Sequence, residues 1–167
     1  MLGALLRRLR GEPPPRATFA FFSPEDLPAR NTEPAPVRAC VLAGEGDVRG
    51  AQRVLEASGS PLATALLAAL LEQRGEAAAS ERAVQSVIAA ERDKPAEASL
   101  AQHFYARGVH YLNQALPQSA ERCLALAHRL KPEAPGPSER LGNIGWRPGD
   151  TDAGEHWYGI ALANTRA

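Results

Sequence analysis

The sequence predicts an all-α protein built from antiparallel helical hairpins. Three observations point there. The apolar residues are mostly Ala, Leu and Val, in a chain that is 44% hydrophobic but only 5% aromatic, and alanine is the best helix former while fitting poorly on a strand. From Val37 onward the apolar residues recur at helical spacing, and no β-branched alternating run occurs that would predict a sheet. The apolar segments are separated by only a few residues of Gly, Pro and Asp, and loops that short make neighbouring helices antiparallel.

In chain order, residues 1–36 differ from the rest. Leu2, Leu5, Leu6 and Leu9 recur at helical spacing beside Arg7, Arg8 and Arg10, enough for an amphipathic helix of two or three turns that is marginal in isolation. Pro13, Pro14, Pro15, Pro24, Pro28, Pro34 and Pro36 follow. Proline lacks the amide donor and restricts the residue before it, so this stretch is expected to be a largely disordered tail. Within it, Phe19, Phe21 and Phe22 form an apolar spot that could dock onto the folded part or onto a partner. Residues 37–167 are expected to hold the helices, over about 37–45, 48–58, 61–74, 79–92, 98–115, 118–130, 138–146 and 151–165. Gly44 to Asp47 separate the first two. Pro61 starts the third at a favoured first-turn position, and Gly75 closes it. Pro95, Pro117 and Pro132 mark the later breaks, and Pro148-Gly149-Asp150 separates the last two helices.

The helix pairs repeat. Gly108 and Gly142 are 34 residues apart, as are Leu124 and Tyr158, and Ala127 and Ala161, which is the tetratricopeptide period. In residues 101–134, Phe104, Gly108 and Tyr111 lie on a first helix and Ala120, Leu124, Ala127 and Pro132 on a second. In residues 135–167, Leu141-Gly142, then Gly149-Asp150, then Tyr158 and Ala161 follow the same order. Upstream, Ala83, Val87, Ala90 and Pro95 show the second-helix spacing, as do Gly46-Asp47, Ala51 and Leu55. On these residues the chain resembles the tetratricopeptide-repeat (TPR) family, most closely over 101–134, less so over 135–167, and least over 37–95. Departures are Ser138 at a position for a bulky residue, Gly154 where alanine is usual, and a longer interval from Gly75 to Ala83 that suggests an insertion of about three residues. The resemblance implies three to four hairpins stacked as a short right-handed superhelix, an α-solenoid. The repeat-packing residues would be Ala83, Ala90, Phe104, Gly108, Tyr111, Ala120, Leu124, Ala127, Leu141, Gly142, Tyr158 and Ala161. The physical logic stands apart from the name: small residues let two helices approach closely, and one hairpin cannot bury its apolar face alone.

The residues offer little chemistry. Basic and acidic residues balance at 19 each, so no net field draws nucleic acid, and low net charge protects little against self-association. His103, His110, His128 and His156 form no HExxH pattern, and His103 with His110 alone would make a poor metal site; His128, in a last helical turn, sits where a cation is favoured. No G-x-S-x-G and no phosphate-binding glycine loop occurs. Cys40 and Cys123 lie far apart and read as small apolar residues on helices. No catalytic activity, cofactor or metal is expected. No apolar run is long enough to span a bilayer, and the first residues place apolar side chains before charges, the reverse of a secretory signal, so a cytoplasmic location is expected.

The resemblance implies function by binding. The first helix of each repeat would line a concave groove, through Gln102, Tyr105, Val109, Leu112 and Asn113, then Glu139, Asn143, Trp146 and Arg147. Tyr, Trp and Arg dominate interface energetics, and Asn and Arg can hold peptide backbone or carboxylate. Trp146 could equally pack under the turn at Pro148. The expectation is an adaptor or scaffold for a protein or peptide segment. Alternatives are an assembly factor lying on a membrane surface through residues 2–10, and the repeat appendage of a larger enzyme. A second copy docking on the uncapped last helix is a further expectation.

Overall fold

The computed structural model describes residues 21–146 and 151–165. Among the described residues there are eight α-helices and no strand, which makes the protein all-α. The helices are α1 (Pro34–Gly44), α2 (Val48–Ser58), α3 (Pro61–Gln73), α4 (Ala77–Glu91), α5 (Leu100–Asn113), α6 (Pro117–Leu130), α7 (Pro135–Gly145) and α8 (Asp152–Thr165). Short 3-10 turns lie at Pro24–Asp26 and Ala96–Ala98. Helix starts carry the expected chemistry. Asp47 accepts from the Gly50 amide at 2.8 Å, Ser60 from Ala63 at 3.2 Å and Ser99 from Gln102 at 3.2 Å. Prolines open α1, α3, α6 and α7. That is why α1 begins at Pro34 rather than at Val37: a proline in the first turn gives up only an amide that has no helical partner anyway.

The helices pair as four antiparallel hairpins, α1–α2, α3–α4, α5–α6 and α7–α8. Each is built on one frame. A small buried residue sits on the first helix at the crossing: Ala39, Ala68, Gly108 and Gly142. A small buried residue stands at the matching place on the second helix: Ala51, Ser80, Ala120 and Gly154. Four residues later comes a larger side chain, Leu55, Val84, Leu124 or Tyr158. At Gly108 the crossing is so close that a Cβ would lie 2.6 Å from Leu124 Cγ and 3.3 Å from the Ala120 carbonyl. The first three hairpins turn through a left-handed residue at the same place in the frame, Gly46 (φ 91°), Gly75 (φ 78°) and Ala115 (φ 58°).

This frame corrects the sequence reading of α4. The buried residues there are Ser80, Val84 and Val87, whereas Ala83 is only half-buried and Ala90 is exposed. No insertion follows Gly75; the register assigned from alanines was three residues late. Ser80 replaces alanine because its hydroxyl is satisfied, donating to the Ala68 carbonyl and accepting from Arg129 at 2.8 Å. The hairpins are unevenly spaced along the chain, with Ala39, Ala68, Gly108 and Gly142 as markers, so the 34-residue period describes only the last pair.

Between hairpins, α2 packs on α3 and α6 packs on α7, each second helix meeting the next first helix. The middle junction differs. There α4 packs on α6, and α5 meets neither α3 nor α4 as a principal neighbour. Arg129 of α6 spans the junction, reaching Glu72 of α3 at 2.6 Å, Ser80 of α4 and Glu81 of α4 at 3.6 Å.

The face of α5 left open by this arrangement is covered by residues 21–27, part of the stretch expected to be a disordered tail. Phe21, Phe22 and Leu27 are buried and join the main core, and Asp26 is buried beside them. The Phe22 ring meets that of Phe104 at 5.4 Å between centroids. The 3-10 turn also rests against α1. The Leu/Arg helix expected over residues 2–10, and Phe19, lie outside the described residues.

Candidate functional site

Helix α5 organises both surfaces of interest, and its three faces have separate duties. Gly108 faces α6 as the point of closest crossing. His103, Phe104, Arg107 and Tyr111 face the segment 21–27. Gln102, Tyr105, Val109, Leu112 and Asn113, the residues expected to line a groove, keep partial or full exposure.

Those expected groove residues are only partly brought together. Gln102 and Tyr105 line a cavity of about 220 Å³ with Ala127, Lys131, Ala134 and Pro137. The Tyr105 ring sits over the backbone of Gly136, whose Cβ, if present, would lie 3.1 Å from it. Leu112 and Asn143 line a second depression of about 400 Å³ with Leu116, Pro117 and Ile144. Leu116, 46% exposed, was not singled out in the sequence; its place before Pro117, which draws attention as a helix break, hides its role as an apolar rim. Glu139 and Asn113 are exposed. Asn143 Oδ1 accepts from the Tyr158 hydroxyl, which leaves its amide to donate outward. Trp146 packs over the first turn of α8, 2.8 Å from where a Cβ of Gly154 would stand and 6.1 Å from the Tyr158 ring, yet stays 53% exposed. Arg147 lies outside the described residues. Of the expected packing residues, Phe104, Gly108, Tyr111, Ala120, Leu124, Ala127, Leu141, Gly142 and Ala161 are buried. Tyr158 is 36% exposed and packs on Gly142 with one ring face.

The second surface of α5 holds a buried carboxylate. Asp26 is 1% exposed. A lone buried carboxylate costs several kcal/mol, so it must be paired and hydrogen-bonded. Asp26 accepts from the Ser23 amide at 2.8 Å, the Ser23 hydroxyl at 3.3 Å, Arg107 Nε at 3.2 Å and the Tyr111 hydroxyl. His103 Nε2 lies 2.6 Å from the Asp26 carbonyl oxygen, and Arg107 stacks 4.7 Å over the Tyr111 ring. Burial alone would lower the Arg107 pKa; the hydrogen bonds to Asp26 and Tyr111 overcome that and raise it. Burial, then the Asp26 carboxylate, raises that of Tyr111. Sequence reading passed over Asp26, although Ser23-Pro24-Glu25-Asp26 is a capping-box pattern.

Cys40 and Cys123 are free and buried. Burial, with Asp26 nearby, pushes both thiols up to about 12, so both stay protonated and inert near neutral pH. His128 packs edge-on to Trp157 at 5.2 Å, and burial followed by His156 lowers its pKa, so the neutral form is favoured there, not the cation expected at a helix end. Among the described residues no cluster of three or more His, Cys, Asp or Glu could hold a metal ion, and no helix is long and apolar enough to cross a membrane. No protein-family model matches the chain, and no curated protein matches it in sequence.

Proposed function

We propose that this protein is a non-catalytic interaction module, an adaptor or scaffold of TPR-like stacked hairpins that holds a segment of another polypeptide. The observation that carries this reading is the frame shared by all four hairpins. Ala68, Gly108 and Gly142 each receive a second helix at close range, Ala39 is buried at the matching place, and such units gain stability by stacking and present one helix of each pair to a partner. Support for the place of binding comes from exposed apolar area on the last two hairpins. Tyr105, Leu112 and Leu116 line two depressions there, with Gln102 and Asn143 supplying donors and acceptors, and Trp146 is exposed at the end of α7. Aromatic side chains of this kind anchor interfaces because they bury much area at small entropic cost. On the first two hairpins, α1 is contacted by the 3-10 turn of residues 24–26 and α4 by α6.

The test is affinity capture with the full chain and with a Tyr105→Ala/Trp146→Ala variant, read by quantitative mass spectrometry beside far-UV circular dichroism. A partner retained by the native chain and lost by at least tenfold from the variant, at unchanged helicity, is the expected result. Equal retention by both chains would remove this surface as the binding site.

A further inference from the structure

The contact between residues 21–27 and α5 has the make-up of a ligand in a site, and it lies on a different face of α5 from the surface just described. Three polar side chains of α5 are committed to this one segment: His103 to the Asp26 carbonyl, and Arg107 and Tyr111 to the Asp26 carboxylate. Arg107 stands where Leu67 and Leu141 stand in the frame of the second and fourth hairpins and where Arg38 stands in the first, and of the two arginines it is Arg107 that is bonded to Asp26. The segment brings its own shape. Ser23 and Asp26 close a turn through Ser23 N to Oδ2 at 2.8 Å and Asp26 N to the Ser23 carbonyl at 3.0 Å, and the two phenylalanines and Leu27 enter the core. Such local closure lowers the ordering cost of docking. The seat has independent support. Helix α5 is clamped to α6 at Gly108 and capped by Ser99, none of which involves the segment.

We propose that the face of α5 formed by His103, Phe104, Arg107 and Tyr111 is a binding site for short protein segments, filled in cis by residues 21–27, and that a partner segment of the same chemistry takes it by displacement. That chemistry is an aromatic residue followed four positions later by a carboxylate, as in Phe22 and Asp26. The aromatic packs on Phe104 and the carboxylate meets Arg107 and Tyr111. The cis segment therefore acts as a built-in competitor that sets the affinity for partners.

The probe is a fluorescein-labelled peptide of residues 21–30, titrated by anisotropy into the full chain. Asp26→Asn in the chain weakens the cis contact while keeping an amide that can still accept hydrogen bonds. It is expected to tighten peptide binding at least tenfold over the native chain. Adding Arg107→Gln, which leaves no orphaned charge, is expected to abolish that gain. Hydrogen exchange on the native chain supplies a reading without mutation. The Asp26 and Leu27 amides, bonded to the Ser23 and Pro24 carbonyls, should exchange through an opening that leaves α5 protected. Exchange of those amides only together with α5, equal peptide binding by the native and Asp26→Asn chains, or loss of helicity on Asp26→Asn would each overturn the proposal and make the segment a permanent part of the core.

Discussion

Single residues decide how close two helices can come, and Gly108 shows the limit. An added Cβ would stand 2.6 Å from Leu124 Cγ, and Leu124 is wholly buried, so neither atom can move away freely. Overpacking of this kind costs about 1–3 kcal/mol, whereas alanine for glycine in a helix gains roughly 1 kcal/mol. Gly108→Ala is therefore expected to lower urea-unfolding stability by about 1 kcal/mol, and the loss should shrink in a Leu124→Ala background, where the methyl has room. His128 gives the pH dependence its sign. Its pKa is held below the ordinary 6.5 by burial and then by His156, so the unfolded chain binds the proton more readily. Stability should be complete above about pH 6.5 and fall as the pH drops through that value. The melting midpoint is expected to fall between about pH 7.5 and 5.5, and His128→Gln should reduce the fall. An undiminished fall in that variant would place the titrating group elsewhere.

Elements owe their positions to neighbours that local sequence does not reveal. Helix α5 carries Arg107 where the second and fourth hairpins carry Leu67 and Leu141, and its partner Asp26 comes from the segment 21–27. Replacing Asp26 by Ala leaves a partly buried guanidinium without its carboxylate, at an expected cost of about 3 kcal/mol in urea unfolding. Arg107→Leu on top of Asp26→Ala should recover most of that, because removing both members of a buried pair is often nearly neutral. Additive losses in the double variant would show that the two side chains act independently. The same element accounts for the order of residues 21–27, within the stretch 1–36 expected to be a tail. The prolines of that stretch prevent a continuous α-helix through Pro24 and Pro28, but an α-helix is not the only ordered state. Phe21, Phe22 and Leu27 bury themselves in an extended stretch with one 3-10 turn.

At the scale of the molecule, two pairs of stacked hairpins meet at a junction that does not repeat the others. Arg129 ties the third hairpin to both helices of the second through Glu72, Ser80 and Glu81. The two glutamates are 58% and 61% exposed, so their ion pairs are worth little. The bond to Ser80, which is 1% exposed, carries more. Arg129→Ala is expected to cost about 1 kcal/mol and to broaden the unfolding transition, as the hairpin pairs lose coupling. A transition of unchanged midpoint and steepness would assign the coupling to the apolar contacts alone. At this junction α6 packs on α4, while the 3-10 turn of the segment 21–27 rests on α1.

What the sequence determined by itself is local. Alanine-rich helical periodicity, proline and glycine breaks and the spacing of Gly108, Ala120 and Leu124 were enough to place eight helices and to pair them, because hairpin geometry depends on residues close together along the chain. The frame of α4 failed to read correctly since a serine can serve as the small residue only when Ala68 and Arg129 satisfy its hydroxyl, and Arg129 lies 49 positions away. The candidate groove residues were legible as positions on α5 and α7, but their falling into two separate depressions, one with Tyr105 and one with Leu112, was not. The tertiary structure alone decided the fate of Asp26. A carboxylate in a proline-rich stretch looks solvated until Arg107 and Tyr111, more than 80 positions away, make its burial tolerable. Long-range charge pairing has no period, so no pattern in the sequence announces it.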